Sequence, residues 1–458
     1  MTSYLSSSTC SSEELDAALQ RVRPAAWAGT SALVERGDRV SGRFVDQRII
    51  DVTTRTGVGA AVRCVTDRGL LYRSADEPRV GLAEELLDLY RADTRPARQV
   101  PPAGRPRPAD VASDITSRTL KLILGWLREA DRAARGLDRR VTQFVADFDV
   151  SHRQLEVSCD GTHYRDDRLL SYLTLRAIAR DGTGIATGTY TPGSSTGLGV
   201  LSPEACGVEA ARRAVGGLGA RPAPVGRLPV VVAGGRGIVL IHEACCHPLE
   251  GDEVLRGSVY AGAVGMMIAS SVVSIVDDAT VPGATGTYRV DDEGTLAGAT
   301  TLVDRGVLRG FLTDQETAHH LGADRTGNGR CRSVLDPPLP RMTNTCLLPG
   351  HQTRDEIILN TGLGVYAEHV GGGEVIESTG QFVFRVTNGY MIRDGEIAEA
   401  IQETTIAGTG TEVLRNIDAV ADDVAIGAAR CGKFGQFIPV GVVGPTLRVS
   451  ELLVGGTS

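Results

Sequence analysis

Beyond Pro222 the chain is punctuated by glycine at short intervals, and this constrains its fold more than any other feature. Segments such as LPVVVA, TTLVDRGVLRGFLTD, GQFVFRVTNGYMIRDGEIAE and TLRVSELLVGG alternate apolar and polar residues and carry a turn signal where a hairpin needs one. Such alternation buries one face of a strand and wets the other, so residues 222–458 are expected to form a mainly antiparallel β domain. One helix is expected inside it, directly after the strand LPVVVA and the turn GGRG. The segment GGLGARPAPVGR, residues 216–227, marks the boundary and divides the chain into domains 1–221 and 222–458.

The first half mixes the two periodicities. Residues 14–36 and 81–93 carry helix-like apolar spacing, and ALVERGDRV, RIIDVTTRT, GAAVRCVTD and GLLYRSA between them read as short strands. A Pro- and Arg-rich stretch at 95–110 reads as an exposed linker. A strong helix follows over about 113–136, with Leu120, Leu122, Ile123, Trp126, Leu127 and Ala130 recurring on one face. Then VTQFVADFDV, RQLEVSCDGT and LLSYLTLRAIARDGTGIATGTY repeat the earlier strand block in order and spacing, a weak internal duplication. The predicted class is α+β: an N-terminal α/β domain of duplicated strand-rich units, then a β-rich domain carrying one functional helix.

Composition excludes several function classes. With 48 basic against 56 acidic residues, a net charge of -8 and aromatics at only 4%, the chain offers neither a cationic footprint nor stacking platforms for nucleic acid. The apolar, uncharged run Val259 to Val276 contains Gly262, Gly265 and three serines and does not read as a membrane span. The polar, acidic start lacks the pattern of a secretory signal, and nine scattered cysteines favour thiols and metal ligands over a disulfide framework, so a cytoplasmic location is expected. Lys121 and Lys433 are the only lysines, which singles out Lys433.

The expected helix reads IVLIHEACCHPLEGDE and places His242, Glu243 and His247 within six positions. Two imidazoles on one helix can hold a metal, and a Glu beside the first can serve as base for a metal-activated water. The spacing is HExxxH rather than the common HExxH. At about 100° per residue an i,i+5 pair lies roughly 140° apart around an ideal helix, so the rings diverge unless a π-bulge or a helix end near His247 closes the gap. Pro248 biases His247 toward such an end. A third donor is required, and spacing leaves Cys245, Cys246, Cys431 and the pair His319 and His320 as candidates. Cys245 and Cys246 read more readily as small packing residues, whereas Cys431 lies in ARCGKFGQ, two positions from Lys433.

Seven ordered segments carry a resemblance: HEACCHPLEGD (242–252), VDDEGT (290–295), TGNGRCRS (326–333), PRMTNTCLLPG (340–350), VYAEHVGGGEV (365–375), CGKFGQFIPVGVVGPTLRV (431–449) and the terminal VGGT. Together they make the chain similar to metal-bearing members of the TldD/PmbA peptidase family. The resemblance implies a zinc-dependent peptidase with His242, His247 and Cys431 as ligands to Zn²⁺ and Glu243 as general base. It implies action on unfolded or extended peptides, including precursors of ribosomally made peptides, and pairing with a related subunit as a heterodimer, or with itself as a homodimer. Family members usually have Gly where this chain has Cys246, and Pro248 and Cys346 also depart from the pattern.

Further roles follow on that reading. Lys433 is an oxyanion candidate, Glu250 and Asp252 are candidates to orient a histidine, and Arg341 and Asn344 are candidates to anchor a peptide backbone. Gly372 and Gly373 of VGGGEV let a backbone approach an added strand, or form a bulge. The competing function is a non-catalytic peptide-binding subunit with a structural metal.

Overall fold

The structure, a computed structural model, describes residues 10–92, 114–376 and 379–455; the linker expected at 95–110 lies outside them. Helix α1 (Ser12–Val22) starts with a capping box between Ser11 and Glu14. The helix-like spacing over 14–36 does not persist, because Pro24 intervenes and strand β1 (Trp27–Val45) begins. Residues 29–34 are buried on both faces of that strand, so the period-two signal is lost there. Strand β2 (Arg48–Thr66) is equally long, so the expected short strands merge across Gly42 and Gly57, which lie inside β1 and β2. Strand β3 (Gly69–Ala75) and helix α2 (Gly81–Ala92) complete the unit.

The same order then repeats, as helix α3 (Asp114–Leu137), strands β4 (Val141–Cys159), β5 (Thr162–Asp181) and β6 (Gly184–Tyr190), and helix α4 (Pro203–Gly216). The two units share one sheet in the order β3-β2-β1-β4-β5-β6, with β1 and β4 antiparallel at the centre. Helices α1 and α2 cover Trp27, Val34 and Val62 of the first unit, while α3 and α4 cover Phe144, Leu173 and Leu175 of the second. The sequence reading passed over α4, although Ser202 caps it and Pro203 occupies its first turn. A Cβ on Gly207 would lie 2.1 Å from the carbonyl oxygen of Ala130, so α4 can lie on α3 only because this residue is glycine.

The second half contains two larger sheets. One runs, in spatial order, through Val307–Leu308, Ala299–Asp304, Ile275–Asp278, Asn344–Leu347, Gln436–Gly444 and Ala425–Lys433. In the other, Leu363–Ile376, Gly226–Val232, Leu447–Val454, Thr404–Thr409 and Gln381–Arg393 pair in turn, and the last pairs back with the first to close a ring. Most pairings are antiparallel, as expected; Asn344–Leu347 with Gln436–Gly444 and Leu363–Ile376 with Gly226–Val232 are parallel. The core of this half fills the space between the sheets and takes in Ile238 to Ile241, Cys245, Cys246 and Leu249. The uncharged run from Val259 forms turns and a short strand, and no helix among the described residues is long and apolar enough to cross a membrane.

The halves are joined by buried ion pairs. Arg168 on β5 donates to Asp292 Oδ1 at 2.8 Å and to the Val290 carbonyl at 2.6 Å, which gives the VDDEGT segment a structural role.

Candidate metal centre

The histidine-bearing segment is not a regular helix. A short α-helical turn, Val239–Ile241, passes into a π-helix over His242–Cys246 and then a 3-10 turn over His247–Leu249. Widening the helix so that bonds run from i to i+5 places residues five apart one turn above each other. The rings of His242 and His247 thus meet edge to face with centroids 5.4 Å apart. Both features that could reconcile an HExxxH spacing are therefore present in this one segment. Tertiary packing holds it there. A Cβ on Gly410 would lie 1.9 Å from the Ala244 carbonyl oxygen, and Cys245 Sγ donates to the Gly410 carbonyl at 3.6 Å.

Cys431 comes from the edge strand Ala425–Lys433, distant in sequence but adjacent in space. Its Sγ lies 3.2 Å from His247 Nε2, and the ligand atoms of His242, His247 and Cys431 all lie within 4.8 Å of one another, a spacing one ion can bridge. All three residues are buried. His242 Nδ1 is engaged by Thr345 Oγ1 at 2.7 Å, which turns Nε2 toward the cluster, where it has no hydrogen-bond partner. An orphaned, fully buried ring nitrogen beside a thiol and a second imidazole fits a metal ion.

The thiol itself is prepared for that role. Burial alone raises a thiol pKa, yet the guanidinium of Arg341 and the imidazoles of His247 and His242 bring Cys431 well below the usual range. Arg341 is fully buried and donates from Nη2 to the Cys431 carbonyl at 2.8 Å and from Nη1 to the Gln436 carbonyl at 3.3 Å. It braces the Cys431 hairpin and cannot reach a peptide. Asn344 is likewise buried: its Oδ1 accepts from the Gly286 N–H at 2.9 Å and its Nδ2 donates to the Asp278 carbonyl at 2.6 Å. Both expected peptide anchors are structural residues, because each side chain is fully buried and its polar atoms are taken up by neighbouring backbone.

His247 Nδ1 meets Glu250 Oε2 at 3.0 Å, and the same oxygen accepts from Lys433 Nζ at 2.7 Å. Lys433 also donates to Asp252 Oδ1 at 2.6 Å, with Glu253 Oε1 at 3.6 Å. Burial raises the Glu250 carboxyl, but Lys433 and His247 more than offset it and hold it far below the carboxylate range. Lys433 is therefore neither a surface charge nor an oxyanion donor: it is enclosed among acids behind the histidine. Thr345 escaped the sequence reading, and only the strand alternation of Asn344–Leu347, which sets it opposite Asn344, could have flagged it.

Glu243 differs from its neighbours in reaching solvent, with its side chain 22% exposed and Oε2 3.2 Å from His247 Nε2. Cys245 and Cys246 lie in the apolar core outside the cluster, and burial raises both thiols. His319 sits on the short helix Gln315–Leu321 facing Asp67, also outside it. Gly372 and Gly373 lie in a bulged, exposed stretch of the strand Leu363–Ile376.

Comparison with known proteins fixes the family. The model described as PmbA/TldA metallopeptidase C-terminal domain matches residues 225–456, and that of the central domain matches 113–218. The chain belongs to the PmbA/TldD metallopeptidase family. It is 36% identical to a metalloprotease TldD homolog of Haemophilus influenzae, covering 75% of this chain and 74% of that protein. A metalloprotease of Methanothermobacter thermautotrophicus is 33% identical over 90% of this chain and 92% of its own length. The fold matches TldE from Thermococcus kodakarensis with a TM-score of 0.77 at 17% identity, covering 97% of this chain and all of that one. The protein is thus a metallopeptidase, and a metal cofactor follows from its relatives and from the His-His-Cys cluster.

Proposed function

We propose that the protein is a zinc-dependent peptidase that cleaves unfolded or extended peptides, with His242, His247 and Cys431 as the zinc ligands and Glu243 as general base. The observation that carries this reading is the single orphaned nitrogen, His242 Nε2, buried beside a thiolate-prone cysteine and a second imidazole. Zinc held by that set would supply Lewis acidity for a peptide carbonyl and for an attacking water. Glu243, the cluster's solvent-reaching carboxylate, would take up the proton of the attacking water and return it to the leaving amine. Before a metal is bound, burial raises its pKa but the hydrogen bond from His247 and the charges of His247 and His242 outweigh that, so Glu243 is a carboxylate able to accept a proton. Glu250 fixes the His247 tautomer so that Nε2 faces the metal, and Thr345 does the same for His242.

For substrate capture, the strand Leu363–Ile376 pairs on one side with Gln381–Arg393, while its pairing with Gly226–Val232 covers only Val365 to Ala367. The stretch around Gly372 and Gly373 therefore has an open edge, and Gly372 faces empty space. An extended peptide adds there as a strand, which reads backbone rather than side chains and suits maturation of a ribosomally made precursor. All nine cysteines are free, in keeping with a cytoplasmic enzyme. The likeness to TldE supports work in concert with a second subunit of the same fold, a related family chain or another copy.

The test is zinc content and cleavage of an unstructured peptide on the same samples. Glu243→Gln is expected to keep one zinc per chain and lose cleavage by at least about 100-fold, while His247→Ala and Cys431→Ala lose both. A Glu243→Gln protein as active as the parent would overturn the base assignment. Zinc without cleavage in the parent would mark a peptide-binding subunit with a structural metal.

A further inference from the structure

The strand Ala425–Lys433, which carries Cys431, is the last of its sheet: it pairs with Gln436–Gly444 on one side and, among the described residues, with no strand on the other. Its side chains alternate between two environments. Ala429 and Cys431 point into the core of the second half, whereas Ala428 and Arg430 point at the N-terminal sheet. There they meet a single row of that sheet, in which Asp149 of β4 stands opposite Tyr172 of β5, and Tyr172 opposite Gly193 of the short strand Gly193–Ser194. The Arg430 guanidinium lies over the Tyr172 ring, 4.7 Å from its centroid, and pairs with the buried Asp149 carboxylate. Asp149 also accepts from Arg39 Nε at 2.7 Å. A Cβ on Gly193 would lie 2.6 Å from that of Ala428, so the two backbones approach this closely only because residue 193 is glycine.

We infer that Asp149 and Tyr172 are positioning residues of the metal centre: by holding Arg430 they fix the strand that delivers Cys431, so the first half of the chain completes a ligand set that lies in the second. The inference rests on Cys431 being a metal ligand. His242 and His247 are set by their own segment and by Gly410, Thr345 and Glu250, all in the second half. Cys431 has a different dependence, because it reaches the histidines from a strand with ladder bonds on one side only. Arg341 braces its carbonyl from within the second half, and Arg430, the residue before it, is the handle by which the first half holds the same backbone. The two contacts on that handle complement each other. A charge-assisted pair fixes the distance to Asp149, and the ring of Tyr172 fixes the plane of the guanidinium.

The test uses full-length protein stripped of metal and reloaded with zinc or with cobalt(II), whose thiolate charge-transfer band in the near ultraviolet reports the bond to Cys431 directly. Asp149→Asn and Arg430→Met are each expected to weaken zinc about 10-fold, read by competition with a chromophoric chelator, and to diminish the cobalt band. The double variant should lose no more than either single one, because both cut the same contact. Tyr172→Leu, which loosens the guanidinium without altering a charge, should act in the same direction and less strongly. Arg39→Met removes the other partner of Asp149 and should leave both readouts as in the parent. Circular dichroism identifies the variants that are folded, and the three changes at separate positions keep the comparison open if one is not. Losses that add in the double variant, or folded variants with the parent's zinc affinity and cobalt band, overturn the inference and leave the ligand set standing. A parent whose cobalt complex shows no band removable by Cys431→Ala overturns the ligand reading and the inference with it.

Discussion

Two groups of buried carboxylates sit side by side in the second half of the chain, and burial has opposite outcomes in them. Glu250, Asp252 and Glu253 close around Lys433, and the Glu250 carboxyl is held far below its usual range. Asp291, Glu293 and Asp314 lie just beyond, joined through the Gly251 N–H that donates to the Leu312 carbonyl at 2.7 Å. Their partners are mainly backbone N–H groups and one another. Burial pushes Asp291 up to about 6 and Asp314 up to about 7, and carries Glu293 well above the carboxylate range. Desolvation alone always favours the neutral acid, so a cation in contact decides which cluster stays charged. One lysine keeps Glu250 anionic at neutral pH, able to accept from His247 Nδ1 and leave Nε2 free for a metal.

The comparison breaks most severely at Lys433. Lys433→Met strands three buried acids without their cation and is expected to cost about 3–5 kcal/mol in urea unfolding, far more than a surface charge. If stability hardly changed, the lysine would not be what separates the clusters. A narrower cut is Glu250→Gln, which keeps the shape but releases His247 from its carboxylate. Zinc affinity, read by competition with a chromophoric chelator, should fall about 10–100-fold while the fold persists.

The other cluster is sharpened by pH. The folded-state pKa of Asp314, about 7, lies above its unfolded value, so the folded chain binds the extra proton and stability falls as pH rises between the two values. Asp314→Asn removes that dependence while keeping the helix cap to the Thr317 N–H. The variant should exceed the parent by on the order of 1–2 kcal/mol at pH 8 and match it below about pH 3, where both states are protonated. Thermal melts across that range would show the gap opening with pH, and a gap that stayed constant would place the proton elsewhere.

Much of the site was legible because its chemistry is local. His242, Glu243 and His247 declare themselves within six residues, and the misfit of their spacing with an α-helix already called for a π-bulge or a helix end. Lys433 stood out as one of two lysines. Its role did not, since nothing in CGKFGQ reveals that the side chain points at acids some 180 residues earlier. Arg341 and Asn344 were misread for the same reason. A polar residue in a Gly-rich, β-forming context looks available to a ligand, but here both side chains are fully buried and their groups are spent on neighbouring backbone carbonyls and N–H groups. Long β1 looked like a helix followed by short strands because both of its faces are buried near its start and the alternation disappears.

The sequence by itself determined the mixed helix and strand class, the repeated strand block and the two histidines and glutamate of the candidate metal centre, because periodicity, turn residues and ligand chemistry are properties of neighbouring residues. Only the tertiary structure decided which cysteine joins the two histidines, which carboxylates keep their charge and which polar side chains remain free. Those outcomes depend on distances between segments far apart in the chain, and on how much water the packed core leaves around each group.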